Sequence, residues 1–197
     1  RLPAQSGIAL FSVEAGGQTI TFSARASEQV PTDYPRITQA VDGNLGNSAL
    51  PLSQKGSLVA ALAGLVRFYQ QRGVAPADNG LADTASLNTY LRAFCTIDAA
   101  GTQICDGFLD PGPGTDPQAN PFRAADFASG ALSLAFPEPN LAAIREAISS
   151  SGPVVIGLNL LRNGQSVGVH FVTAYGILAD ADLAISDPNP QFALTRL

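Results

Sequence analysis

His170 is the only histidine in the 197 residues, and Asp187 follows it seventeen positions later. The first stands early in the strand-like run "VHFVTAYGIL" and the second at the end of "LAISDP". Adjacent antiparallel strands joined by a short turn bring residues at this separation opposite each other, so an imidazole and a carboxylate can hydrogen-bond across the ladder. A carboxylate so placed fixes the tautomer of the ring and stabilises its protonated form, which is what a general base requires. The same spacing also suits a half-buried structural histidine, with Asp187 opening the turn "SDPNP", and spacing alone leaves both readings open.

The two cysteines, Cys95 and Cys105, stand ten residues apart with Gly101 between them. A hairpin turning at Gly101 would join them in a disulfide. The alternatives are two free thiols or half of a metal site, and a chain with one histidine lacks the further ligands such a site needs. A bridge is therefore expected, and with it an oxidising compartment. No metal or other cofactor is expected.

These residues need elements to hold them. The runs "IALFSV" and "QTITFSA" alternate with period two and predict two strands, followed by the turn-rich loop "TQAVDGNLGNSALPLSQKG". Ser53 is the expected N-cap of the next helix, with Gln54, Lys55 and Gly56 in its first turn. Leu58, Ala61, Leu62, Leu65, Val66 and Tyr69 then form one apolar stripe. Val59, Ala60, Ala63 and Gly64 make the other face small and apolar as well. This helix is expected to be buried on most sides, with Arg67, Gln70, Gln71 and Arg72 reaching water.

A second helix is expected over "TASLNTYLRAF". "LDPGPGTDPQANPF" is expected to hold no regular structure, because it carries four prolines and two glycines. "NLAAIREAISS" reads as a helix capped by Asn140 and stopped at Gly152-Pro153. "VVIGLNLL", "VHFVTAYGIL" and "LAISDP" then read as an antiparallel sheet, with "RNGQS" and "ADAD" as hairpin connectors. The fold class expected is α+β, in one domain over 1–197, with N-terminal strands and loop to residue 52 and the core from 53.

With 11 basic against 16 acidic residues and 14% charged overall, the chain offers no basic surface for phosphate backbones or anionic lipid. Nucleic-acid and membrane partners are not expected. Apolar residues make up 46%, yet no run approaches the roughly 20 residues that span a bilayer. The chain opens at Arg1 and contains no methionine, as expected of a piece of a longer secreted product, and its Ala-, Gly-, Ser-, Thr- and Pro-rich composition suits a secreted bacterial protein.

"GPVVIGLNL", "GVHFVTAYGI" and "LAISDP" together resemble the C-terminal half of the papain-fold cysteine peptidases related to the bacteriocin-processing, double-glycine leader enzymes. The matching residues are Gly152-Pro153-Val154, then His170-Phe171-Val172 with Gly176, then Asp187-Pro188. "SLVAALAGLVRFY" is similar to the family's nucleophile helix in its small-residue run and its Phe68-Tyr69 end. The resemblance covers Gly56 to Pro190 and implies a papain-like fold, a central buried helix packed on an antiparallel sheet.

It also implies that Ser57 stands where the nucleophilic cysteine belongs, with His170 as base and Asp187 as its orienting partner. Sliding the helix by four residues would put Ser53 there instead, and neither register supplies a thiol. The family's Gly-Pro after the nucleophile is Leu58-Val59 here. At the usual spacing of the oxyanion glutamine stands Pro51, so Gln54 is the expected stand-in, with Gln39 the alternative. The fold works by depressing a thiol pKa at a helix N-terminus beside an imidazolium, and a hydroxyl cannot form that ion pair. The expected function is a catalytically inactive peptidase-like domain of a secreted protein, which binds an extended peptide. Two other readings stay open, an active peptidase whose nucleophile was exchanged for serine and an unrelated secreted domain.

Overall fold

The computed structural model describes residues 9–15, 18–24, 30–97, 99–109, 116–130, 132, 134 and 140–197. In chain order the elements are β1 (Ala9–Ala15), β2 (Gln18–Ala24), α1 (Leu52–Lys55), α2 (Ser57–Gln71), α3 (Thr84–Ala93), β3 (Cys95–Ile97), β4 (Gln103–Cys105), β5 (Phe108–Leu109) and β6 (Gln118–Ala119). After them come α4 (Pro121–Asp126), α5 (Leu141–Ser151), β7 (Val154–Arg162), β8 (Gln165–Ile177) and β9 (Leu183–Ser186). The arrangement is α+β, with antiparallel pairing throughout.

The sheet that matters for the site has the order β7-β8-β9. The two residues between β7 and β8 are Asn163 and Gly164, with φ of 53° and 77°, the left-handed pair that a two-residue hairpin turn needs. The C-terminal residues extend this sheet: Leu183 and Leu197 exchange backbone hydrogen bonds, and Ile185 donates to Thr195. On one side α5 packs through Ile144 and Ile148 against Ile156, Leu158, Val172 and Ile185. Its cap is Asn140, whose side chain accepts from the Ala143 amide.

A second apolar cluster gathers around α2, joining Val59, Leu62, Ala63 and Val66 to Leu87 and Leu91 of α3, Ala124 of α4 and Phe127. Helix α3 opens with a capping box, Asp83 and Ser86 satisfying each other's amides. Helix α2 bridges the two clusters, since Thr173 of β8 donates to the Ala61 carbonyl and Val155 of β7 packs against the helical cluster. Its N-terminus thus lies where the helical half meets the sheet.

Three local expectations are corrected. Ser53 is not a cap: a short α1 starts at Leu52 behind Pro51, and Gly56 separates it from α2. The cause is close approach, because a Cβ at Gly56 would sit 2.4 Å from the Leu52 carbonyl oxygen. Gln70 does not reach water: it is buried, donating to the carbonyls of Pro76 and Gly80 and accepting from Ala82. The loop that follows α2 folds back over the helix end and consumes that amide. The proline-rich stretch is not wholly irregular either. Residues 110–115 lie outside the described residues, but β5 pairs with β6, and α4 begins at Pro121, where a missing N–H does no harm, with Asn120 capping Phe122.

Cys95 and Cys105 face each other across β3 and β4 and are disulfide-bonded, with a Cα–Cα distance of 4.0 Å. Gly101 has a φ of 82° in the connecting turn, a conformation that L side chains resist.

Candidate functional site

Asp187 follows the last residue of β9, and its side chain is buried. Its Oδ1 lies 2.7 Å from Nε2 of His170 and accepts the Asn189 amide at 2.8 Å. Its Oδ2 accepts the Leu194 amide at 3.2 Å. Two amides and a ring nitrogen converge on this one carboxyl, which holds the Nε2 side of the imidazole toward it. The loop that supplies the two amides also places Phe192 edge-on to the imidazole, with ring centroids 5.2 Å apart. His170 is thereby buried and held on two sides.

Ser57 is the first residue of α2, and its side chain is buried. Among the described residues no backbone carbonyl accepts from the Ser57, Leu58 or Val59 amides, as is usual in the first turn of a helix. The Ser57 hydroxyl oxygen accepts the Phe171 amide at 3.2 Å, the residue next to His170 on β8. No direct hydrogen bond joins Ser57 to His170 in the described structure. Both line one pocket, together with Gln54, Lys55, Leu58, Leu160, Val167, Val169 and Phe192.

Gln54 is exposed at the rim of this pocket, three residues before Ser57. Gln39 is buried instead and spans two segments: its Nε2 donates to the Ser53 carbonyl at 2.8 Å, and its amide donates to Pro188 at 2.9 Å. Gln39 is not among the residues that line the pocket, and its Oε1 has no partner. Ser53 is exposed on α1 and also lies outside the lining. Cys95 and Cys105 are likewise absent from it.

Sequence reasoning did not single out Lys55, Leu160, Val167 or Phe192 as lining. Lys55 forms an ion pair with Asp116 at 2.7 Å across the pocket wall, and both partners are partly exposed. Phe192 could have been suspected from its place after the "SDPNP" turn; Leu160 and Val167 carry no local signal that separates them from any other strand residue. Among the described residues no group of His, Cys, Asp and Glu could hold a metal ion, and no helix is long and apolar enough to cross a membrane.

The arrangement can do part of what nucleophilic catalysis asks. A buried carboxylate orients an imidazole, and that imidazole lines a pocket with the N-terminus of a buried fifteen-residue helix. The missing part is an acidic nucleophile. A serine needs a base positioned to take its proton during attack, and the hydrogen bond that fixes Ser57 is to a backbone amide of the sheet. Comparison of the chain with models of protein families, with curated proteins and with solved structures gives no match.

Proposed function

We propose that this chain is a catalytically inactive, papain-like domain of a secreted protein, which keeps the cleft of a cysteine peptidase and uses it to bind an extended peptide. One observation carries the reading: the His170–Asp187 pair and the first residue of a buried helix line the same pocket, and that first residue is a serine tied to the Phe171 amide. The helical and sheet halves meeting at this pocket support the papain-like assignment, as does the sequence resemblance from Gly56 to Pro190. The disulfide supports secretion.

The test is to install the missing thiol. Ser57→Cys is expected to react rapidly with iodoacetamide near neutral pH and to lose that reactivity when His170→Ala is added, because a helix N-terminus and an imidazolium together depress a thiol pKa far below about 8.5. An introduced thiol that behaves as a free one, indifferent to His170, overturns the reading and leaves His170 and Asp187 as structural residues.

A further inference from the structure

The sheet β7-β8-β9 has two outer edges. On the β9 side the chain covers its own edge: Leu183 and Leu197 exchange backbone hydrogen bonds, and Ile185 donates to Thr195. The β7 side is different. In an antiparallel ladder the N–H and C=O of one residue point to one neighbour, and those of the next residue point to the opposite side. The Phe171 amide is turned away from β7, toward Ser57, so His170 faces β7 and pairs there with Leu158. Leu158 therefore faces β8, while Val155, Gly157, Asn159 and Leu161 turn their N–H and C=O outward. The hairpin gives the same parity, since Arg162 closes it opposite Gln165. Among the described residues none bonds to these outward groups.

A long open edge is a template for another strand, and proteins ordinarily blunt it with a charge, a proline or a covering segment. From Val154 to Leu161, β7 carries no charged residue and no proline. Its sequence also suits its own copy. A two-fold axis at Leu158, the middle of this nine-residue strand, pairs Val155 with Leu161 and Gly157 with Asn159 of the other copy, so every outward N–H and C=O of both is used. The side chains then opposite each other are Ile156 and Leu160, Val155 and Leu161, and Leu158 with its own copy. Leu161, 64% exposed in the single chain, gains an apolar neighbour. Arg162 falls opposite Val154 of the other copy, just past the C-terminus of α5, whose last turn carries no basic residue of its own. A cation there meets the negative end of the helix. In this register no like charges face each other across the ladder.

We infer that two copies of this chain associate through β7, antiparallel and in register about Leu158, to make one continuous sheet across a two-fold axis. A single ladder is a small interface, so the dimer is a weak one, with a dissociation constant of about 10–100 µM. The association does not depend on the peptide-binding reading, since none of Val155, Gly157, Asn159 and Leu161 lines the pocket.

Sedimentation equilibrium of the full chain tests this. At about 1 µM the mass is expected near that of one chain, 20.3 kDa, and at about 200 µM it is expected to rise toward twice that value. Asn159→Lys places two lysines diagonally across the axis and leaves the β8 ladder its own bonds. It is expected to raise the dissociation constant at least about tenfold with an unchanged circular dichroism spectrum. Register is read by cross-linking with oxidised glutathione. Residues directly opposite in a non-hydrogen-bonded pair stand about 4.5 Å apart, within reach of a disulfide, whereas Asn159 and its copy stand diagonally at about 7–8 Å. Leu158→Cys is therefore expected to form a covalent dimer at least about tenfold faster than Asn159→Cys. A chain that stays at 20.3 kDa at about 200 µM overturns the inference, as does a dimer that Asn159→Lys leaves unchanged, which would use another surface. Equal cross-linking of the two cysteine variants overturns the pairing about Leu158.

Discussion

The Nε2 of His170 lies 2.7 Å from Oδ1 of Asp187, and this carboxylate, with no exposed surface, also terminates two backbone amides of the loop that follows it. One side chain therefore serves the imidazole and the loop that covers it. Asp187→Ala leaves His170 Nε2 and the amides of Asn189 and Leu194 without their acceptor. Because unpaired buried donors are costly, the variant is expected to lose about 2–4 kcal/mol of unfolding free energy in urea titrations. A loss below about 0.5 kcal/mol would mean that the loop does not depend on Asp187.

Ser57→Ala separates a structural hydroxyl from a catalytic one. The hydroxyl oxygen accepts the Phe171 amide across the junction of α2 and β8, so its removal is expected to cost about 1 kcal/mol in stability. Peptide hydrolysis is expected at background level both before and after the substitution. Measurable hydrolysis by the unaltered chain that Ser57→Ala abolishes would make the serine a nucleophile.

The Cys95–Cys105 bridge closes a loop of ten residues. Paired replacement of both cysteines by alanine is expected to lower stability by about 2–3 kcal/mol, acting chiefly on the unfolded chain. A thiol assay under denaturing conditions without reductant should detect no free sulfhydryl. Two titratable thiols would remove the main support for an oxidising compartment.

Acid stability should report two arginine clamps. Hydrogen bonding from the Arg123 guanidinium holds the Asp106 carboxyl below its ordinary range, and Arg196 does the same to Asp180. Both pKa values are lower folded than unfolded, so the unfolded chain binds more protons between the two values and stability rises with pH there. The contribution is complete above the unfolded carboxylate range, near pH 4, and is lost as pH falls through the folded values. Urea midpoints are expected to drop on acidification from about pH 5 to about pH 3, less steeply in Arg123→Ala. An unchanged slope in that variant would show that the Arg123 pair makes no net contribution.

How much of this was legible beforehand depended on how far apart the interacting residues stand. The amphipathic pattern from Leu58 to Tyr69, the Asn140 cap, the Asn163-Gly164 hairpin and the cysteine pair are each written within a few turns of helix or one hairpin. Periodicity, caps and turn residues act at that range, and the sequence by itself determined those elements, while it left open whether His170 meets Asp187. Tertiary structure decided the rest. The gap at Gly56 follows from the Leu52 carbonyl packed against it, and Gln70 is buried because the loop to Ala82 wraps back over its amide. Gln39 reads as a polar loop residue until Pro188 and Ser53 are brought to it. Ser57 and Phe171 are 114 positions apart, and no local pattern tells a hydroxyl which distant amide it will meet; that choice was made when α2 packed on β8 at the point where β9 stops.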